Sequence, residues 1–200
     1  MKAGVEKTLR IFTVGHSNLS FEQFSSLLKE YEIGLVADIR RYPSSRKFPH
    51  FNRPVLSELL AVENIDYLWL ESLGGRRHTV KKDNSVNVGL KSIGFRSYAD
   101  YMATDEFCRA VGDLLSAAAQ SRTAIMCAEK LYWKCHRRLL SDYLTARHVK
   151  VVHILDPGKT SEHKLTHDAV ITETGIIYPL PESGDNQRSL FDLEPKTEVE

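Results

Sequence analysis

The sequence predicts an α/β fold: a doubly wound, mostly parallel sheet of five or six strands with helices on both faces. Short apolar runs at Leu9–Val14, Leu35–Ile39, Asp66–Leu70, Thr123–Met126 and Val149–Leu155 alternate with segments whose apolar residues recur every three or four positions. Strand, helix and strand within Leu9–Ile39 make a βαβ unit with a right-handed crossover. Polar and charged residues gather just beyond the apolar runs, where the carboxyl ends of parallel strands bind ligands.

The elements follow in order. The first strand closes in Gly15-His16-Ser17-Asn18, and Ser20-Phe-Glu-Gln23 has the pattern of a capping box. Phe21, Phe24, Leu27, Leu28 and Tyr31 mark one face of the helix that follows, and Gly34 ends it. The second strand carries Asp38 near its end and Arg40 just after. Residues 40–53 form a basic, Pro-punctuated loop in which Tyr42, Phe48 and Phe51 interleave with arginine and lysine, a composition suited to phosphates and bases together. Pro54 suits the first turn of a helix carrying Leu56, Leu59 and Leu60. The third strand ends in Glu71-Ser-Leu-Gly74-Gly75-Arg76-Arg77. Residues 78–94 are polar and unpatterned, which predicts a flexible insert or lid. A short helix is expected over Phe95–Met102, and Thr104 caps the next, which carries Phe107, Val111, Leu114, Leu115 and Ala118. After the fourth strand, a loop with a thiol, a carboxylate and an indole leads into a helix marked by Leu139, Leu140, Tyr143 and Leu144. The fifth strand breaks at Asp156-Pro-Gly. A last helix over His163–Ile171 and a last strand over Ile176–Leu180 complete the expectation. Residues 8–181 read as one domain and 182–200 as a flexible acidic tail.

At 42% hydrophobic and 26% charged residues, the chain can bury a core and stay in solution. No run of eighteen apolar residues exists, and Met1-Lys-Ala-Gly-Val-Glu-Lys7 lacks the apolar core of a signal peptide. Three cysteines, an odd number, give no disulfide framework. A cytoplasmic protein without a membrane partner is therefore expected. From Glu182 onward six acidic residues face two basic ones, so of the net +1 the tail carries −4 and the body +5. A mildly basic body permits a nucleic-acid partner.

The stretch from Thr123 to Arg138 gathers the most chemistry. Cys127, Glu129, His136 and Arg137 are the first candidates for catalysis, because a thiol, an acid/base pair and a cation meet at a strand-to-helix junction. A helix N-terminus there adds unpaired N–H groups and a positive dipole end. His16, Ser17, Asp38, Arg40, Arg76, Trp133 and Arg138 are the candidates for binding substrate, most of them at or beyond strand ends. Against this stands the ordinary reading: buried free Cys is common, and first-turn arginines are often surface residues. No cofactor is expected. A metal at Cys127, Cys135 and His136 is the less favoured alternative, since adjacent Cys and His rarely both ligate one ion and the nearby arginines disfavour a cation.

Gly15-His16-Ser17-Asn18, Asp38-Ile-Arg40 with Pro43 and Ser44, Cys127-Ala-Glu129 and Cys135-His136-Arg137-Arg138 together resemble the motifs of domain of unknown function family 488. The likeness runs from about Phe12 to Leu155. The family has no established reaction, so the resemblance implies site residues rather than an activity. A weaker likeness is to rhodanese and cysteine-phosphatase domains, where a Cys also ends a strand ahead of a helix. Their anion-cradling loop closes within a few residues, whereas here Ala128–Lys134 is bulky and the arginine arrives only at Arg137.

The tail holds Gln187-Arg-Ser-Leu190-Phe191 between polar residues. A short apolar pair in an acidic tail suits a groove on a partner. The pentapeptide resembles the bacterial sliding-clamp-binding motif, with Gln187, Leu190 and Phe191 as anchors and Arg188 where an apolar residue is commoner. The combined expectation is an enzyme or enzyme-like module acting on nucleic acid or nucleotides, linked to DNA repair or replication. A small-molecule cysteine enzyme of sulfurtransferase or phosphatase type and a non-catalytic nucleic-acid-binding module are the alternatives.

Overall fold

The computed structural model describes residues 8–77, 84–173 and 175–181. Five parallel strands, β1 (Arg10–Gly15), β2 (Leu35–Asp38), β3 (Asp66–Trp69), β4 (Thr123–Cys127) and β5 (Lys150–Asp156), and one antiparallel edge strand, β6 (Lys159–Glu162), form a sheet of order β3-β2-β4-β1-β5-β6. A separate antiparallel pair, β7 (Val170–Thr172) and β8 (Gly175–Ile177), follows. Five α-helices accompany the sheet: α1 (Phe21–Glu30), α2 (Arg53–Val62), α3 (Ile93–Tyr101), α4 (Asp105–Gln120) and α5 (Arg137–Thr145). No helix among the described residues is long and apolar enough to cross a membrane.

Because successive strand residues face opposite sides, each strand feeds two cores. Phe12, Val14, Val36, Ala124 and Met126 pack with Phe24, Leu28, Leu56 and Leu60 of α1 and α2. Ile11, Ala37, Ile125, Cys127 and Val151 pack with Tyr98, Phe107, Leu114, Leu139 and Leu140 of α3, α4 and α5. The helices begin where their caps place them. Ser20 and Gln23 form the reciprocal capping box of α1, and the Thr104 hydroxyl accepts from the Phe107 N–H at the start of α4.

Two expectations are corrected. No helix forms over 163–171. His163 and Thr166 bond the buried carboxylate of Asp142 instead, and such side-chain partners draw the backbone away from helix. The last strand is short and pairs with β7 rather than joining the main sheet. Of the anticipated insert, residues 78–83 lie outside the described residues. Residues 84–92 are held to the body: Leu90 is buried, and the Asn87 side chain bonds Asp100 and the Tyr178 N–H.

Candidate functional site

The loops after β1, β2 and β4 are laced together at the carboxyl edge of the sheet. The backbone N–H groups of His16 and Ser17 donate to the carbonyls of Cys127 (3.0 Å) and Ala128 (2.9 Å), and that of Ile39 to Met126 (3.0 Å). Gly15 makes the lacing possible, because a Cβ there would overlap the Glu129 carbonyl. The candidate residues thus share one edge, but they divide between the two faces of the sheet.

On the α1/α2 side lies a closed polar group. Asp38, fully buried, takes a forked contact from Arg40 (2.6 Å at the shortest) and the Tyr67 hydroxyl (2.6 Å). Arg40 Nη1 lies 3.3 Å from His16 Nε2. Since arginine only donates, Nε2 is the acceptor and the proton sits on Nδ1, which donates to the Ser17 carbonyl (3.1 Å). The His16 ring stacks on Phe51 at 3.9 Å. Burial first, and Arg40 second, lower the His16 pKa to about 4. Burial and the Asp38 carboxylate raise that of Tyr67. His16, Asp38 and Arg40 are therefore brought together with their hydrogen bonds largely spent on one another.

On the α3/α4/α5 side stand Cys127 at the end of β4, Cys135 and His136. His136 Nδ1 lies 3.5 Å from Cys135 Sγ and 4.0 Å from Cys127 Sγ, and the three atoms lie within 4.8 Å of one another. Both thiols are buried. The contact between them, with Cys127 as donor, pushes the Cys127 pKa up and the Cys135 pKa down; burial adds to the first, and His136 and Arg137 add to the second. Gly75 lies against the His136 ring, where a Cβ would overlap Cγ and Nδ1, and the Tyr98 ring meets it edge-on at 5.1 Å. His136 Nε2 is buried without a hydrogen-bond partner.

The other candidates scatter. Glu129 is exposed and accepts from the Leu131 N–H (3.1 Å). Arg137, 1% exposed, spends its Nη atoms on Thr13 Oγ1 (3.3 Å) and the carbonyls of Glu129 and Lys130, so it shapes the loop. Arg138 lies over the Phe95 ring at 5.2 Å. Trp133 is half-buried against Tyr132, and Ser17 bonds Asn18 from a left-handed backbone (φ 48°). Arg76 is exposed. Gln187, Leu190 and Phe191 lie outside the described residues.

Sequence reasoning missed a second buried network behind the loop. Thr13 Oγ1 lies 2.7 Å from His153 Nδ1, His153 Nε2 lies 2.9 Å from His163 Nδ1, and His163 Nε2 lies 2.9 Å from Asp142 Oδ1. Asp142 also accepts from the hydroxyls of Thr166 (2.7 Å) and Tyr178 (2.8 Å). Tyr132 stacks on His153 at 3.5 Å. The only signals were an Asp in the apolar rows of α5 and a His inside a β-branched run.

One comparison with known proteins finds a match. The profile described as "Domain of unknown function DUF488" matches residues 20–144, more than half of the chain. The chain belongs to DUF488. No curated protein and no solved structure matches it. Within the DUF488 match fall Asp38, Arg40, Cys127, Cys135, His136 and Arg137, while Gly15, His16 and Ser17 precede it.

Proposed function

We propose that this DUF488 domain is an enzyme acting on nucleic acid or nucleotides, with Cys127, Cys135 and His136 as its reactive centre. The observation that carries the reading is the convergence of those three side chains at an edge where the neighbouring loops bear exposed Arg46, Lys47 and Arg76 and the start of α2 bears exposed Arg53. Arg53 at the start of α2 stacks over Trp69 at the end of β3 at 4.2 Å, and Tyr42 is 62% exposed, so cations and aromatic faces stand together at that edge. That combination suits a backbone of phosphates carrying stackable bases. Binding of a fluorescent single-stranded oligonucleotide should weaken linearly on a log–log plot against salt. Arg46→Ala with Arg53→Ala should lower the slope by about 1–2. An unchanged slope, or no binding at low salt, removes the nucleic-acid part. The burial of both thiols favours the second reading, a small-molecule cysteine enzyme, in that case.

We propose further that the tail docks on a sliding clamp. Burying Leu190 and Phe191 contributes roughly 3–6 kcal/mol before ordering costs. Ordering the segment takes back several kcal/mol, leaving roughly micromolar or weaker binding. A labelled peptide spanning Asn186–Leu193 should bind the clamp of its own organism, and Leu190→Ala with Phe191→Ala should abolish binding. Equal binding of both peptides makes the motif a coincidence.

A further inference from the structure

We propose that Cys127, Cys135 and His136 bind a borderline-soft divalent cation, zinc by their chemistry, with three protein ligands and one open position. The inference deepens the reading just given by saying what organises the reactive centre, and only its catalytic consequence rests on that reading.

Two sulfurs face one nitrogen. A single imidazole Nδ1 has one proton or one lone pair, so it can serve one thiol well and not both. The 3.5 Å contact to Cys135 can use the one Nδ1 position, which leaves Cys127, at 4.0 Å, with its thiol–thiol contact to Cys135. Three soft donors around a common point are what a tetrahedral cation requires. With Zn–S near 2.3 Å and Zn–N near 2.0–2.1 Å, ligand atoms in such a site stand about 3.5–3.8 Å apart. The nitrogen–sulfur separations of 3.5 and 4.0 Å lie within about 0.5 Å of that spacing, and the two sulfurs lie within 4.8 Å of each other.

The structure answers both objections that the sequence raises. Cys135 follows a 3-10 turn with an extended backbone (φ −123°, ψ 152°), and His136 turns into the helical region (φ −58°, ψ −16°). The change of conformation between neighbours lets both side chains address Cys127. The donors of the arginines are engaged elsewhere, Arg137 through its Nη atoms with Thr13 and two loop carbonyls and Arg138 over Phe95, and the charge of Arg137 that reaches Cys135 favours the thiolate a cation needs.

Charge also balances. As the cation enters, two thiols release their protons to solvent, and Zn²⁺ with two thiolates and a neutral imidazole carries no net charge, which is the least costly state for buried groups. His136 would ligate through Nδ1 with its proton on Nε2, its ring held by Gly75 and Tyr98 in place of the usual outer-shell acceptor. Three protein ligands leave a position for water, whose pKa a cation lowers toward neutrality. That assigns the centre hydrolytic chemistry. Glu129 is the only carboxylate on the loop between the two cysteines.

The test uses the full chain, reduced, stripped by chelator and titrated with Co²⁺ without oxygen. One equivalent should produce sulfur-to-cobalt charge-transfer absorption and the intense visible bands of a tetrahedral site, and Zn²⁺ should displace it. Cys127→Ser and Cys135→Ser should each lower the charge-transfer band to half or less, while Cys108→Ser keeps it. A measurement on the unaltered chain separates loss of ligand from loss of fold: one equivalent of Zn²⁺ should shield Cys127 and Cys135, but not Cys108, from a maleimide read by peptide mass. A weak octahedral spectrum, charge transfer undiminished in both serine variants, or no shielding overturns the site. A Cys127–Cys135 disulfide in air, with no cation taken up after reduction, also overturns it and makes the pair a redox couple. Cation uptake without oligonucleotide binding keeps this site and removes the nucleic-acid reading; the reverse result does the opposite.

Discussion

Replacing Arg137 with methionine is expected to destabilise the domain by about 3–5 kcal/mol, the usual cost of removing one partner from a buried charge network. Arg137 and Asp142 are both buried and stand at the two ends of one hydrogen-bonded chain. Arginine can only donate, so the Thr13 hydroxyl accepts from Arg137 and passes its own proton toward His153 Nδ1. His153 must then carry its proton on Nε2 and donate to His163 Nδ1, and His163 must donate from Nε2 to Asp142. Every bond points from the cation to the anion. Methionine fills similar volume but leaves the Thr13 oxygen short of a donor, frees the Glu129 and Lys130 carbonyls, and removes the cation at the far end from Asp142. Urea unfolding should show a lower midpoint at constant slope. Arg137→Lys keeps the charge without the fork and should recover only part of the loss. A methionine variant within about 1 kcal/mol of the parent would mean that the network is balanced by its own desolvation.

Acid is expected to cost the fold roughly 3–4 kcal/mol between pH 7 and pH 5, through His16 and His153. Burial and Arg40 lower His16 to about 4; burial, His163 and Arg137 lower His153 to about 2. Both values lie below the usual histidine value of 6.5. Between the folded and unfolded values the unfolded chain binds more protons. The stabilisation is therefore complete above about pH 6.5 and falls as pH drops, each group losing roughly 1.9 kcal/mol by pH 5. The loss from His16 levels off near pH 4, and that from His153 continues toward pH 2. Equilibrium unfolding across this range should show it, and His16→Gln, which keeps an acceptor for Arg40, should flatten the profile by about half. A profile that is flat for the parent chain contradicts the neutral, buried state of both rings.

The five parallel strands were legible because their apolar runs are short and bounded, and each lies within a residue or so of its expected place. The caps at Ser20 and Thr104 were legible because a hydroxyl three residues ahead of a free N–H is a local pattern. The region after β5 was not. Its conformation depends on Asp142, some twenty residues earlier in sequence, and nothing in 163–171 announces that partner. The carboxyl edge was legible as a gathering place, since topology alone sends the strand ends there. Its division was not. His16 and Asp38 fall on one face and Cys127 on the other because of where each strand's alternation ends, and a one-residue difference in a strand's end reverses the face. Cys135, assigned in the sequence only to the less favoured metal reading, takes its place beside Cys127 from the shape of the intervening loop.

The position of β4 between β1 and β2 has a consequence for how the protein is made. During synthesis, residues up to the end of α4 emerge first, and β1 and β2 among them have no direct pairing with each other. The slot between them stays open until Thr123–Cys127 arrives, and that strand brings Cys127 to the sheet edge. Filling of the slot and delivery of Cys127 are thus one event, dependent on contacts far apart in sequence, with β5 and β6 still to be added. A nascent or truncated chain that stops before β4 holds the basic loop and His16 but neither a joined sheet nor Cys127 at its edge.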